Sequence, residues 1–304
     1  MESSDDRTIE RSLSSIDMKF AALDSTLIRN GQGASDAIRE TRELAAFLED
    51  LNFSRFWLTE HHSEKHGQSS PEVFLCELAR ETAAMAVGTA GILLGRHSPL
   101  KIAESFFLLQ ALFPGRIDLG LAREKGEVNS KDSPPCHRDQ ETRNRLYEDM
   151  LQQLLSYLDR SSPLVVNPAD VSAPPIWLDG SSERSALLAA RYGLRFCVAD
   201  FLLPTPEATL EIVEVYRTSF IPSVFGKEPY ASVAMTGVCG HERNTICRSG
   251  TAKSIYGREP LWRRYLSRLR QHPSIQEFAF WDLHPEMEGK RNSYAAFGKI
   301  AKSI

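Results

Sequence analysis

Residues 53–62, FSRFWLTEHH, join an apolar run to a cluster of reactive polar side chains. Strands favour aromatic and aliphatic residues, and Phe53, Phe56, Trp57 and Leu58 are of this kind. A carboxylate and two imidazoles follow where the chain should leave the strand. Because α/β enzymes place their sites at the carboxyl ends of buried strands, this stretch predicts a parallel-sheet enzyme if the other strands end similarly.

The remaining sequence predicts eight strands, each followed by a helix. The predicted strands are 19–24, 53–58, 85–94, 117–122, 175–179, 194–200, 231–238 and 275–281. The predicted helices are 35–51 with Ser35 as its cap, a second that starts at 71 and includes 78, 99–112, 139–158, 183–192, 206–216, 260–270 and 292–301. The third strand, MAVGTAGILL, is almost wholly apolar, which indicates burial on both faces. This order fits an α/β fold of the (β/α)8 TIM-barrel type better than an open sheet. We expect residues 1–17 to be a disordered tail and residues 18–304 to be one barrel domain.

Composition excludes several classes of protein. The chain has 304 residues and a formal net charge of -4, with no basic domain, so a nucleic-acid surface is not expected. No apolar run is long enough to cross a bilayer, and the acidic amino terminus lacks the apolar core of a secretory signal, so a cytoplasmic protein is expected. The five cysteines form no CxxC pair, so neither a disulfide framework nor a zinc site is predicted. The pair Cys136-His137 is interpreted as a loop thiol beside a surface histidine.

The most specific signal for a binding site at the predicted strand ends comes from Arg123 and the turn GSSERS (180–185). A helix amino terminus has unpaired N–H groups and a partial positive charge, and Gly180 lets a ligand approach the backbone. The hydroxyls of Ser182 and Ser185, one turn apart, and the guanidinium of Arg123 would then bind one anion, as in a phosphate cradle. The alternative, that Ser182 is only an N-cap and Arg123 pairs with a nearby glutamate (Glu124 or Glu127), stays open.

His61 and His62 are adjacent, so at a strand end they point in opposite directions. One of them is expected to face the barrel mouth, where histidine is the usual proton donor or acceptor near neutral pH. The other is expected to be a packed, hydrogen-bonded imidazole. With His66 and His97 a metal site is conceivable, but the spacing matches no zinc pattern and no metal is predicted.

Four strings in this order resemble motifs of the bacterial luciferase-like flavin-dependent monooxygenases. They are WLTEHH, VGTAGILLGRHSPLKIAESF, LFPGRIDLGLAR and IWLDGSSERSALLAARYGL, with thinner similarity in IYGREP and RNSYAAF. The resemblance implies a (β/α)8 barrel that uses reduced FMN, supplied by a separate reductase, and molecular oxygen to oxidise a small organic substrate, possibly in secondary metabolism. It also implies a homodimer.

The resemblance also implies roles for individual residues. His61 matches the catalytic histidine beside the flavin, with Glu60 as a possible orienting carboxylate and His62 as the structural neighbour. Arg123 matches the arginine that holds the FMN phosphate. The residues that share the phosphate with Arg123 and those against the flavin ring complete the implied cofactor site. They are Ala90, Gly91, Gly180, Ser181, Ser182 and Ser185. Ala90–Gly91 falls where the family often has a cis peptide bond that does not involve proline.

The sequence departs from the luciferase pattern in two places. Ala122 replaces the reactive cysteine of the luciferases, so a non-luminescent member is expected. The segment between the seventh strand and IYGREP is shortened, and so is 161–172, which leaves three functions open. These are the FMN-dependent monooxygenase, a deazaflavin-dependent oxidoreductase, and a catalytically degenerate flavin-binding barrel that acts as a partner subunit.

Overall fold

A computed structural model of the chain describes residues 18–123, 139–250 and 252–304. Its strands are β1 (Lys19–Asp24), β2 (Arg55–Leu58), β3 (Ala86–Thr89), β4 (Ile92–Leu93), β5 (Ile117–Ala122), β6 (Ile176–Gly180), β7 (Arg195–Ala199), β8 (Ala231–Cys239), β9 (Thr245–Ser249), β10 (Ala252–Gly257) and β11 (Ile275–Asp282). Its helices are α1 (Ala34–Asp50), α2 (Pro71–Glu81), α3 (Pro99–Leu112), α4 (Gln140–Leu158), α5 (Glu183–Arg191), α6 (Pro206–Thr218), α7 (Glu259–Arg270) and α8 (Met287–Lys302).

Eight of the strands close into a barrel. Their order around it is β1, β2, β3, β5, β6, β7, β8 and β11, and β11 pairs with both β8 and β1. All pairings between these eight strands are parallel. Because helices run between them, the predicted (β/α)8 barrel is confirmed, and the loops after the strands share one face.

The structure corrects three predicted elements and adds one that was not predicted. The third strand is interrupted at Ala90–Gly91, so that β3 and β4 pair separately with β5. A hairpin of β9 and β10 was not predicted, and β10 pairs with β8 outside the closed barrel. Helix α8 begins at Met287 rather than at Asn292. Helix α1 is capped by Gly33, whose N–H donates to Asp36 Oδ2 at 3.1 Å, and not by Ser35.

The apolar core has two layers. The larger layer fills the space between barrel and helices, and a smaller one lies inside the barrel, comprising Ala21, Leu23, Trp57, Trp177, Cys197, Ala234 and Ala279. Because side chains alternate along a strand, Trp177 and Asp179 of β6 face the barrel interior while Leu178 packs outside.

Several predictions lie outside the described residues. These are the tail 1–17, the glutamates Glu124 and Glu127, and the pair Cys136-His137. Within the described ranges, no helix combines the length and the apolar character needed to cross a bilayer.

Candidate functional site

Glu60 lies just beyond the end of β2, is 3% exposed, and accepts three hydrogen bonds. The donors are the Leu93 N–H at 2.8 Å, His97 Nε2 at 2.9 Å and His62 Nε2 at 2.6 Å. Burial opposes its charge, but the bonds from His97, His62 and Leu93 prevail and lower the pKa of Glu60. The bond to Glu60 in turn raises the pKa of His97. Glu60 is therefore a buried carboxylate that positions two imidazoles.

Neither of those two imidazoles is His61, so the expectation that Glu60 orients His61 is corrected. The ring of His61 instead stacks on His66, with centroids 4.5 Å apart and planes 17° from parallel, and lies 6.0 Å from Trp281. Its Nε2 atom is buried and has no hydrogen-bond partner among the described residues.

His61 is neutral at physiological pH. Desolvation, together with repulsion from His66 and His62, lowers its pKa to about 4. A neutral imidazole with an unpartnered nitrogen can either donate a hydrogen bond to a bound molecule or accept one from it, depending on its tautomer. His61 thus keeps its hydrogen-bonding capacity for a ligand, whereas His62 uses its Nε2 on Glu60.

The peptide bond between Ala90 and Gly91 is cis, as the resemblance implied. A Cβ atom on Gly91 would stand 2.5 Å from Asp179 Oδ2 and 2.8 Å from the backbone of Leu121. Only glycine therefore fits at position 91, at the point where the chain crosses the upper end of β5 and β6.

Arg123 directly follows β5 and is exposed, and its Nη1 donates to Asn144 Oδ1 of α4. A narrow cleft brings together the end of β5, the end of β6, helix α4 and the first turn of α5. Its lining includes Arg123, Asn144, Tyr147, Asp179, Arg184 and Ser185. The structure thus places Arg123 and Ser185 in one cleft, as the sequence predicted.

The serine hydroxyls of the GSSERS turn bond to each other. Ser182 is the N-cap of α5, and its Oγ lies 2.9 Å from Ser185 Oγ, which also donates to the Ser182 carbonyl at 2.7 Å. A Cβ atom on Gly180 would collide with the Ser185 side chain, so glycine makes room for the capping box here. Ser181 beside it is half-buried. An anion at this helix end would have to share the two hydroxyls with the cap.

Arg184 lines this cleft, and neither its place there nor its acidic partners on α4 were predicted from the sequence. Arg184 Nη2 lies 2.8 Å from Glu148 Oε1, and its Nη1 lies 3.4 Å from Glu141 Oε2. A basic residue in the first turn opposes the helix dipole, and this was the sequence signal for a local anionic partner.

A second, larger cavity of about 820 Å3 opens between the loops after β1 and β11. His66 and Trp281, both beside His61, belong to its wall. The charged groups of the wall are largely paired, with Lys290 Nζ 2.7 Å from Asp24 Oδ2 and Arg29 Nη1 2.8 Å from Glu40 Oε2.

The wall of this cavity also carries an incompletely bonded acid. Asp282 accepts the His284 N–H at 2.8 Å through Oδ1, but Oδ2 is buried without a partner in the described part of the chain. Burial raises the pKa of Asp282 to about 6. The described residues hold no group of three or more His, Cys, Asp or Glu arranged to bind a metal ion.

The sequence profile of the luciferase-like monooxygenases matches residues 18–219. The chain is 36% identical over 235 residues to the uncharacterized protein YwcH of Bacillus subtilis, an alignment that covers 73% of this chain and 68% of that protein. It is 34% identical over 233 residues to a luciferase-like monooxygenase of Escherichia coli K12, covering 71% and 65%. The chain thus spans about two thirds of the length of these relatives.

Solved structures share the fold. Apo-MsnO8 superposes with a TM-score of 0.82 at 25% identity, covering 93% of this chain and 98% of that one. The oxygenating constituent of 3,6-diketocamphane monooxygenase from Pseudomonas putida, in complex with FMN, gives 0.71 at 15% identity, covering 95% and 99%. An F420-dependent secondary alcohol dehydrogenase also gives 0.71, at 13% identity, covering 93% and 99%.

Proposed function

The chain belongs to the luciferase-like monooxygenase family, and from that premise we propose that it is an FMN-dependent monooxygenase. It would use reduced FMN and molecular oxygen to oxidise a small organic substrate. The observation that carries the proposal is the unpartnered, neutral His61 at a barrel mouth whose neighbouring cleft holds Arg123.

The residues present fit an FMN molecule. Arg123 would bind the phosphate, since its side chain is exposed and Asn144 accepts a hydrogen bond from its Nη1 atom. The backbone N–H groups of Glu183 and Arg184 at the start of α5 add partial positive charge there. Ala90 and Gly91 would lie against the ring system, as the family resemblance implies. When bound, reduced FMN supplies the electrons for the reaction with oxygen.

The protein's own chemical contribution centres on His61. Because its pKa is about 4, the ring is uncharged near neutral pH and holds a proton on one nitrogen only. It can therefore donate or accept a hydrogen bond to a bound molecule without placing a charge beside Trp281 and His66. The stacked His66 ring fixes the plane of His61.

We place the substrate in the cavity between the loops after β1 and β11. Its volume of about 820 Å3 suits a small organic molecule, since ligand pockets span roughly 300–1,000 Å3. The ion pairs Asp24–Lys290 and Arg29–Glu40 neutralise the wall, which favours an uncharged substrate. The cavity adjoins His61 through His66 and Trp281.

The remaining expectations are part of the same proposal. A separate reductase would deliver the reduced flavin in the cytoplasm. A homodimer through the early helices is supported by Val73 of α2 and by Leu108 and Leu112 of α3, which are 69%, 54% and 56% exposed. Light scattering would give the mass of the assembly.

Anaerobic titration with reduced FMN tests the cofactor. Binding in the micromolar range supports the proposal, and no binding at high micromolar concentration refutes it. Titration with a deazaflavin in parallel tests the alternative suggested by the F420-dependent fold relative. Tight flavin binding with peroxide release but no oxygenated product would favour the degenerate partner subunit.

Two pairs of variants test the roles of the residues. Arg123→Ala should weaken FMN binding by about tenfold or more, since hydrogen bonds to charged groups contribute about 1.5–3 kcal/mol, and leave turnover at saturating flavin nearly unchanged. The matched control Arg191→Ala removes a 62% exposed arginine from the last turn of α5. His61→Ala should lower turnover at saturating flavin and leave FMN binding nearly unchanged, with His62→Ala as its control. The opposite pattern would reassign both roles.

A further inference from the structure

Asp179 lies inside the upper end of the barrel and is half-buried, with both carboxyl oxygens buried. It lies on the same side of β6 as Trp177 and beside Ala122 of β5 and Cys197 of β7 in the strand register. Its carboxyl group packs against Gly91 so closely that a Cβ there would stand 2.5 Å from Oδ2. Asp179 also lines the cleft that contains Arg123.

The carboxyl group has no hydrogen bond of good geometry to a described residue, and the Cys197 thiol of the neighbouring strand is the polar side chain that influences it. No described cation forms an ion pair with it, whereas the two other acids of the barrel interior, Asp118 and Glu277, lie 2.6 and 2.8 Å from Arg55. Burial raises the pKa of Asp179 well above its usual value, and only the Cys197 thiol opposes this effect. The group is therefore a neutral acid with a free O–H donor.

An acid with these properties does not stabilise the fold. An unsatisfied buried polar group costs free energy, and an apolar residue of similar shape in its place is neutral or stabilising. Residues that break this rule are expected at functional sites, where a ligand provides the missing partner. Asp179 lines the cleft with its carboxyl group against Gly91, while Arg123 of the same lining is exposed.

We propose that Asp179 is a cofactor-binding residue that donates a hydrogen bond, as a neutral carboxylic acid, to an uncharged acceptor atom of the flavin ring or its ribityl chain. The inference rests on the proposed use of FMN. It assigns the phosphate to Arg123 and the uncharged part of the cofactor to Asp179. A carboxylate in this position would repel the phosphate, so the neutral form is the one compatible with binding.

The test measures anaerobic binding of reduced FMN and of reduced riboflavin, which lacks the phosphate, to the full chain and to three variants. D179L should weaken binding of both flavins by about tenfold or more, because the donor is lost and the flavin acceptor stays unpaired. D179N keeps a neutral donor and should bind within about threefold of the original chain. The melting temperature of flavin-free D179L should be equal or higher. D149L, the same change at an exposed position of α4, should alter neither property.

Four results would overturn the inference. They are unchanged affinity of D179L for FMN and riboflavin, a loss confined to FMN, a loss in D179N as large as in D179L, or a D179L protein that melts lower or fails to fold. If the original chain binds neither flavin, the proposed function itself fails, and this outcome is distinct from the four.

Discussion

Replacing Glu60 by glutamine is expected to destabilise the protein by about 2–3 kcal/mol. Hydrogen bonds to a charged group contribute about 1.5–3 kcal/mol and neutral ones about 0.5–1.5 kcal/mol, so each donor loses about 1 kcal/mol. Glu60 has three donors, Leu93 N–H, His97 and His62, and the bond to the exposed His62 is discounted for solvent screening. At about 2.1 cal/mol/K of unfolding entropy per residue, 304 residues give about 0.64 kcal/mol/K, so the melting temperature should fall by about 3–5 °C.

The destabilisation should depend on pH in a defined direction. The pKa of Glu60 is lowered in the folded state, so its contribution is complete above its ordinary value of 4.5 and is lost as the pH falls through the folded pKa. The pKa of His97 is raised, so its contribution is complete below its ordinary value of 6.5 and is lost as the pH rises through the folded pKa. The difference between the original chain and E60Q should therefore be largest between pH 4.5 and 6.5.

Thermal unfolding followed by circular dichroism from pH 3.5 to 8.5 measures this difference. Glu64→Gln is the matched control, because it makes the same chemical change at an exposed glutamate four residues later. It should shift the stability by no more than about 0.5 kcal/mol. A difference for E60Q that is flat across the pH range, or no larger than that of E64Q, would refute the charge-based account of the Glu60 cluster.

Three further perturbations follow from the described contacts. Lys253→Met should lower the free energy of unfolding by about 3–5 kcal/mol in chemical denaturation, because it leaves the buried Asp200, 3.0 Å from Lys253 Nζ, without its cation. Adding Asp200→Asn should recover part of the loss. Gly91→Ala should cost about 1–3 kcal/mol by overpacking, measured in the same way, and a variant as stable as the original would contradict the crowding at that position. In nuclear magnetic resonance titrations His61 should show a midpoint near pH 4 and His97 one above 6.5, and a His61 midpoint near 6.5 would show that its ring is not desolvated.

Local patterns sufficed to predict the barrel and its strand ends. Apolar runs such as IDLGLA and PIWLD carry enough β-propensity and burial to be recognised, and all eight barrel strands overlap their predicted ranges. The hairpin of β9 and β10 was missed because four of the five residues of β9, TICRS, are exposed and show no alternation. Its pairing depends on β8, which sequence proximity does not reveal.

The positions of the candidate residues at the strand ends were predictable, but their hydrogen bonds were not. Glu60, His61 and Arg123 were selected from the sequence, and the structure places each of them at the carboxyl face. The partner of Glu60 is His97, 37 residues away, which only the pairing of β2 with β3 brings into range. Asp179 went unnoticed as a site residue, although an acid two positions after the inward-facing Trp177 was a usable signal.

Buried acids are paired with a cation at one end of the barrel interior and not at the other, and this contrast bears on function. Near the amino-terminal end Arg55 binds Asp118 and Glu277, and Trp57 Nε1 also donates to Asp118 at 3.1 Å. Breaking such a network would leave buried charges without partners, so these residues secure the barrel. At the carboxyl end Asp179 faces the candidate cofactor cleft without any cation or described hydrogen-bond partner. Because a fold gains nothing from an unpaired buried acid, a bound molecule is the partner that would account for it, and the stability of that end should increase when flavin binds.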